Sequence, residues 1–205
     1  MAKKYSFDAS NKIDSFDVFN ILPEKEYDAI TELASILCQT PLAAISLIIG
    51  NQQYYKSCYG FTSLPDPIDQ SLCKYTFNQS NPIFSVEDTR LDNRFKGKSY
   101  VIDDPKIVFF TGIQLITPSD GIIGVLGVYD HEARILSEMQ IKSLQLLANQ
   151  VVQLIELNKK KIELDQSEKK YKSMIENSIV PILFSDPITE RVIDANKAAC
   201  ELFGY

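Results

Sequence analysis

Side chains able to do covalent or acid–base chemistry are few in this chain, and their spacing suits it poorly. There is one histidine, His131, and four cysteines, Cys38, Cys58, Cys73 and Cys200. A serine or cysteine nucleophile needs a base within hydrogen-bond reach, and no motif surrounds His131. The cysteines show neither CxxC nor CxxxC spacing and have no histidine beside them, so neither a zinc site nor a disulfide framework is expected. Mostly apolar flanks fit buried, reduced thiols. Gly121-Ile122-Ile123-Gly124 reads as turn and strand and is not followed by Lys-Ser/Thr, so it is no phosphate loop. What remains is polar recognition. Asp88, Arg90, Asp92 and Arg94 can meet a polar ligand at a pocket mouth; equally, Asp88 can cap a short helix and pair with an arginine while Phe95 pins the loop to the core. The expectation is a chain with no catalytic residues and no metal.

Composition narrows the classes further. The 205 residues are 45% hydrophobic and 23% charged, with a net charge of −6. That balance excludes a basic nucleic-acid face. Lys159-Lys160-Lys161 and Lys169-Lys170 alternate with Glu156, Glu163, Asp165 and Glu168, as on a solvated helix face. No apolar run approaches the ~18 residues needed to span a bilayer, and Met1–Phe19 has no apolar signal region. A cytoplasmic location without direct membrane contact is expected.

The elements that must position any site follow from periodicity. Residues 1–20 read as a polar arm. Pro23 opens a helix to about Gln39 with Tyr27, Ile30, Ala34 and Leu37 on one face and Leu33 widening it. Leu42–Ile49 is a nearly continuous apolar run, the mark of a strand buried on both faces. Gly50-Asn51 turns it into a partner strand, Gln53–Tyr59. Asp69–Asn78 suits a short helix carrying Leu72, Cys73 and Phe77. Ile83–Val86 is a short strand, and the polar stretch from Glu87 to about Pro105 is long enough to hold a small helix. Val108–Ile116 and Ile122–Tyr129 form a second hairpin about Pro118-Ser119-Asp120-Gly121. This order predicts an α+β domain, a central antiparallel sheet with helices packed on it. Tyr54, Tyr55, Phe84, Phe109 and Phe110 lie on its strands, and alternation sends Tyr54 and Tyr55, like Phe109 and Phe110, to opposite faces.

From Ser137 to Ser178 the chain runs without glycine or proline, enough for a helical rod of roughly 60 Å. Ser137 and Gln140 have the capping-box spacing. Ile141, Leu144, Ala148, Val151, Ile155, Asn158 and Ile162 fall at 3-4 spacing, a seam in which Asn158 would favour a parallel, in-register homodimer. A second line, Leu157, Leu164 and Tyr171, runs at sevenfold spacing. The alternative is that the first stripe packs on its own sheet and the second is linker.

Residues 20–157 resemble a known family. Leu22-Pro23-Glu24, Ala43–Ile48, Tyr55-Lys56-Ser57, Ser71-Leu72-Cys73, Glu87–Phe95, Phe110-Thr111-Gly112, Ile123–Asp130 and Leu147–Val152 together resemble the GAF domains of bacterial signalling proteins. Gln114 departs from the pattern, since many relatives carry proline there. Ile175–Ser178, Ile182–Asp186, Val192–Ala199 and Leu202–Tyr205 resemble the opening of a PAS domain, present here as its first third. That likeness implies part of a longer polypeptide. It divides the chain into the arm, a GAF-like domain over 21–157, a helical linker over 158–170 and a truncated PAS start over 171–205.

The resemblance implies a ligand cavity floored by the aromatic strands, with Tyr54, Tyr55, Cys73, Phe84, Asp88, Arg94, Phe109 and Phe110 as pocket candidates. It implies no particular cofactor. Chromophore-binding relatives attach a bilin through a cysteine typically followed by histidine, whereas Lys74 follows Cys73. His131 stands in a turn and is no evident haem ligand. The Asn-Lys…Phe…Asp-Glu pattern of cyclic-nucleotide-binding relatives is absent. The expectation is a sensory input module of histidine kinase or diguanylate cyclase type, homodimeric through Leu144, Ala148, Val151, Ile155, Asn158 and Ile162. It would relay an unidentified small-molecule ligand or a partner to the PAS domain. A ligand-free dimerisation scaffold is the alternative.

Overall fold

The computed structural model describes residues 24–62, 66–67 and 71–204. The predicted N-terminal arm, Pro23 and the start of the predicted helix at Asp69 lie outside them. Helix α1 (Glu24–Cys38) leads into strands β1 (Leu42–Ile49), β2 (Gln52–Tyr59) and β3 (Asp66–Pro67). A short helix α2 (Cys73–Phe77), strand β4 (Ile83–Val86) and a one-turn helix α3 (Ser99–Ile102) follow. Strands β5 (Phe109–Thr117) and β6 (Gly121–Asp130) complete a six-stranded antiparallel sheet in the order β3-β2-β1-β6-β5-β4. The longest helix, α4 (Glu138–Glu176), is 39 residues, and beyond it come a hairpin, β7 (Leu183–Ser185) with β8 (Val192–Ala195), and α5 (Lys197–Phe203). The chain divides into two compact units, with the division between Leu157 and Asn158.

The sheet divides the first unit into two cores because successive side chains alternate faces. One core joins α1 and the first half of α4 to Ala43, Ile45, Leu47, Phe109, Ile113, Leu126 and Val128. The other joins Ala44, Phe110, Val125 and Tyr129 to α2 and the long β4–β5 connection, with Phe95 fully buried within it.

Helix α1 turns its face differently from the sequence expectation. Tyr27, Ile30, Ala34 and Cys38 are buried, whereas Leu37 is 40% exposed and Leu33 43%. Eleven residues make nearly three whole turns, so Cys38 comes back under Tyr27 while Leu37 lies about 80° away. Thr31 and Ser35 are buried on the same face. A bulge in β2 opposite Ile45 and Ser46 explains the polar lining. Lys56 is the extra residue, so Lys56 and Ser57 both turn to α1. Ser57 Oγ donates to Asp28 (2.6 Å) and shares a hydrogen bond with Thr31 (2.8 Å), and Lys56 Nζ lies 5.7 Å above the Tyr27 ring.

Helix α4 begins with the predicted capping box. The Ser137 amide donates to Gln140 Oε1 (2.9 Å), and the Gln140 amide donates to Ser137 Oγ (3.3 Å). Gln140 Nε2 also donates to the carbonyls of Leu37 and Cys38, so one side chain caps two helix ends. Leu144, Ala148, Val151 and Ile155 are all buried against the sheet. The seam expected between two copies is therefore, over these four residues, an intrachain contact: the sheet needs a cover, and this stripe supplies it. Asn158 and Ile162, one and two turns on, are half-exposed. The second line, Leu157, Leu164 and Tyr171, is exposed throughout.

In the second unit Asn196 organises the fold. It is 1% exposed; its Oδ1 accepts from the amides of Ile182 (2.8 Å) and Ala199 (3.0 Å), and its Nδ2 donates to the carbonyls of Ile175, Ser178 and Val180. It caps α5 and ties the hairpin to the end of α4 within that unit. Apolar side chains including Ile179, Ile188, Ile193 and Leu202 stay exposed around it.

Candidate ligand-binding cleft

The cleft begins with two glycines that lack a side chain. Gly112 of β5 and Gly127 of β6 are cross-strand partners. A Cβ on Gly112 would meet the Phe110 ring at 2.7 Å, and one on Gly127 would meet the Tyr129 hydroxyl at 2.8 Å. The bare backbone lets the Phe110 and Tyr129 rings, themselves cross-strand partners with centroids 5.0 Å apart, lie down on the sheet. Phe84 adds a ring 6.2 Å from Phe110, and Tyr75 and Phe95 extend the set toward β4. These rings make a floor that is too tightly stacked to be a cavity.

The open space lies at the other end of that face. A cleft of about 550 Å³ is bounded by Leu42, Tyr55, Phe61, Leu72, Ile107 and Tyr129, with Tyr100, Asp104 and His131 among its polar lining. Its volume is within the usual range for small-molecule sites. Phe61 stands edge-on to Tyr55 (5.9 Å, 87°) and to Tyr129 (6.0 Å, 75°), so the rings form walls at right angles. The Tyr129 hydroxyl meets Cys73 Sγ at 3.7 Å. Burial holds the Tyr129 phenol well above its ordinary value, the nearby Cys73 adding to it. Burial likewise raises Tyr100, whose hydroxyl oxygen is buried and has no hydrogen-bond partner among the described residues. Both phenols are uncharged near neutral pH.

The predicted pocket residues separate. Tyr55 lines the cleft. Phe84 and Phe110 belong to the stacked floor, and Cys73 is enclosed behind Tyr129 with its thiol donating weakly to Ser46 Oγ (3.8 Å). Burial raises the Cys73 thiol, against the hydrogen bonds of its neighbours. Tyr54 pairs with Leu47, and Phe109 is fully buried with the α1–α4 core, so both lie on the helix face of the sheet. Asp88 and Arg94 are spent on the loop. Asp88 binds Arg90 (2.7 Å) and Asp92 binds Arg94 (2.6 Å), each aspartate also accepting the amide two residues on. The hydrogen bond from Arg90 holds the Asp88 carboxyl below its usual range, and Arg94 does the same for Asp92. The Arg94 guanidinium caps the rings of Tyr75, Phe84 and Phe95 at 5.0–5.5 Å. Sequence reasoning missed Phe61, Tyr100, Asp104 and Tyr129, which come from a loop, a one-turn helix and a strand end with no shared motif. Among the described residues no group of three or more His, Cys, Asp or Glu is placed to hold a metal ion, and no helix is long and apolar enough to cross a membrane.

Comparison with known proteins places the fold. The GAF domain of an Acinetobacter phosphoenolpyruvate-protein phosphotransferase superposes with a TM-score of 0.55 at 14% identity, over 69% of this chain and 87% of that one. The phycoerythrobilin-bound GAF domain of a cyanobacterial phytochrome gives 0.54 at 14%, over 67% and 86%. The sheet with its flanking helices is a GAF fold, as expected. The PAS domain family model matches residues 169–205, so a PAS-like tail follows the GAF fold. Over 141 residues the chain is 29% identical to a cyclic di-GMP phosphodiesterase of Pseudomonas aeruginosa. That match covers 68% of this chain, and the chain spans 24% of that relative's length.

Proposed function

We propose that this chain is a sensory input module of a bacterial signalling protein, in which occupancy of the cleft biases the packing of α4 and is relayed to the PAS-like tail. The observation that carries the reading is the two-sidedness of β5 and β6. Tyr129 faces the cleft while its neighbour Val128 faces the α1–α4 core, and Phe110 and Phe109 alternate in the same way. A ligand that shifts these strands necessarily acts on the helix behind them. Likeness to part of a cyclic di-GMP phosphodiesterase supports a regulatory role, with catalysis in an output domain of histidine kinase, diguanylate cyclase or related type. No residue of this chain is assigned a catalytic role.

The relay needs two copies. Leu157, Leu164 and Tyr171 offer an exposed line on α4, and on another face Asn158 and Ile162 continue, half-exposed, the stripe that packs on the sheet. Exposed Leu33, Ile36 and Leu37 on α1 offer a second apolar strip, which also suits a dimerisation scaffold that binds nothing. Native mass spectrometry of the purified chain separates the readings. A dimer with additional non-covalent mass supports the sensor, a dimer at bare mass moves the assignment to the scaffold, and a monomer removes the relay.

A further inference from the structure

We infer that the cleft is built for a small organic cation, a protonated primary or secondary amine on an apolar body. This rests on the reading of the cleft as a ligand site and specifies its chemistry. Four aromatic rings, Tyr55, Phe61, Tyr100 and Tyr129, line it, and the Phe61 ring stands near-perpendicular to both Tyr55 and Tyr129. Aromatic faces carry negative potential and attract ammonium groups. Among the described residues Asp104 is the one carboxylate in the lining; it is exposed and makes no ion pair or hydrogen bond with them.

No described lysine or arginine lines the cleft. The three arginines of the flanking loops are already paired: Arg90 with Asp88, Arg94 with Asp92, and Arg134 with Asp130 (2.7 Å). An anionic ligand would therefore face aromatic rings and a carboxylate and meet no described lysine or arginine, while the Thr62 and Ser71 hydroxyls serve a ligand of either charge. A charge held toward Asp104 and an apolar body among the rings would together suit the lining.

The test is calorimetric titration of the full chain with three probes of one skeleton: phenethylammonium, 2-phenylethanol and phenylacetate. The expected result is that the ammonium binds at least about tenfold tighter than the other two. Asp104→Asn should remove most of that preference while leaving the alcohol's affinity unchanged. Circular dichroism checks that the variant folds. Equal or tighter binding of phenylacetate or the alcohol, or a preference that survives Asp104→Asn, overturns the cation assignment while leaving a ligand site. Absence of binding by all three overturns the cation assignment, and the ligand-sensing reading is then decided separately by the native mass of the purified chain.

Discussion

At the scale of single residues, space and protonation decide most. A Cβ on Gly124 would collide with the Ser46 carbonyl oxygen, at the last pair of the β1–β6 register, where strand backbone cannot easily yield. Gly124→Ala is expected to cost about 3 kcal/mol in urea unfolding. Gly97→Ala, which meets nothing within 4 Å, should stay within about 0.5 kcal/mol. The thiols supply a pH prediction. Burial pushes both Cys38 and Cys58 up to about 11 from 9.0. Their folded state holds the proton more tightly than the unfolded chain, so their contribution is intact below pH 9 and is lost as pH rises from 9 through 11. The urea midpoint should fall across that window, and less steeply in Cys38→Ala. A slope unchanged by the substitution would remove the thiol from the account.

At the scale of elements, the long helix does two jobs along one length. Leu144 is fully buried on the sheet, so Leu144→Ala should destabilise the first unit by about 2–5 kcal/mol, independently of protein concentration. Leu164 is 59% exposed, and Leu164→Glu should leave that unit's melting unchanged while shifting sedimentation toward monomer. If Leu164→Glu sediments like the parent, the dimer does not run along this line. Asn158→Leu should alter oligomer order, because a polar residue within the stripe that Ile155 and Ile162 continue selects register more than it adds stability. In the second unit, Asn196→Ala removes the cap of α5 and leaves partly buried carbonyls and amides without their partner. Protection against hydrogen exchange should collapse over residues 178–203, with protection of the first unit's strands retained.

At the scale of the whole molecule, element order and element partnership have different origins. The strands Leu42–Ile49 and Ile83–Val86, both hairpin turns, the capping box at Ser137 and the long helix were legible because each is encoded within a few neighbouring residues. The alternation that separates Phe109 from Phe110 and Tyr54 from Tyr55 is equally local, since a pleated strand allows nothing else. Partnership is another matter. The 3-4 stripe from Leu144 to Ile155 has the same pattern whether it meets a second copy or its own sheet, and only the tertiary fold assigns it to the sheet. Leu37 and Cys38 compete for one face of α1, and the phase of the helix, set by what Tyr27 packs against, decides for Cys38. The cleft itself was illegible in the chain. Tyr55 with Phe61, Tyr100 with Asp104, and Tyr129 stand on three stretches far apart in the chain, and it takes the sheet register and the glycine pair beneath the rings to bring them round one space. Local propensity determined what the elements are; long-range packing, which no short window of sequence contains, determined what they enclose.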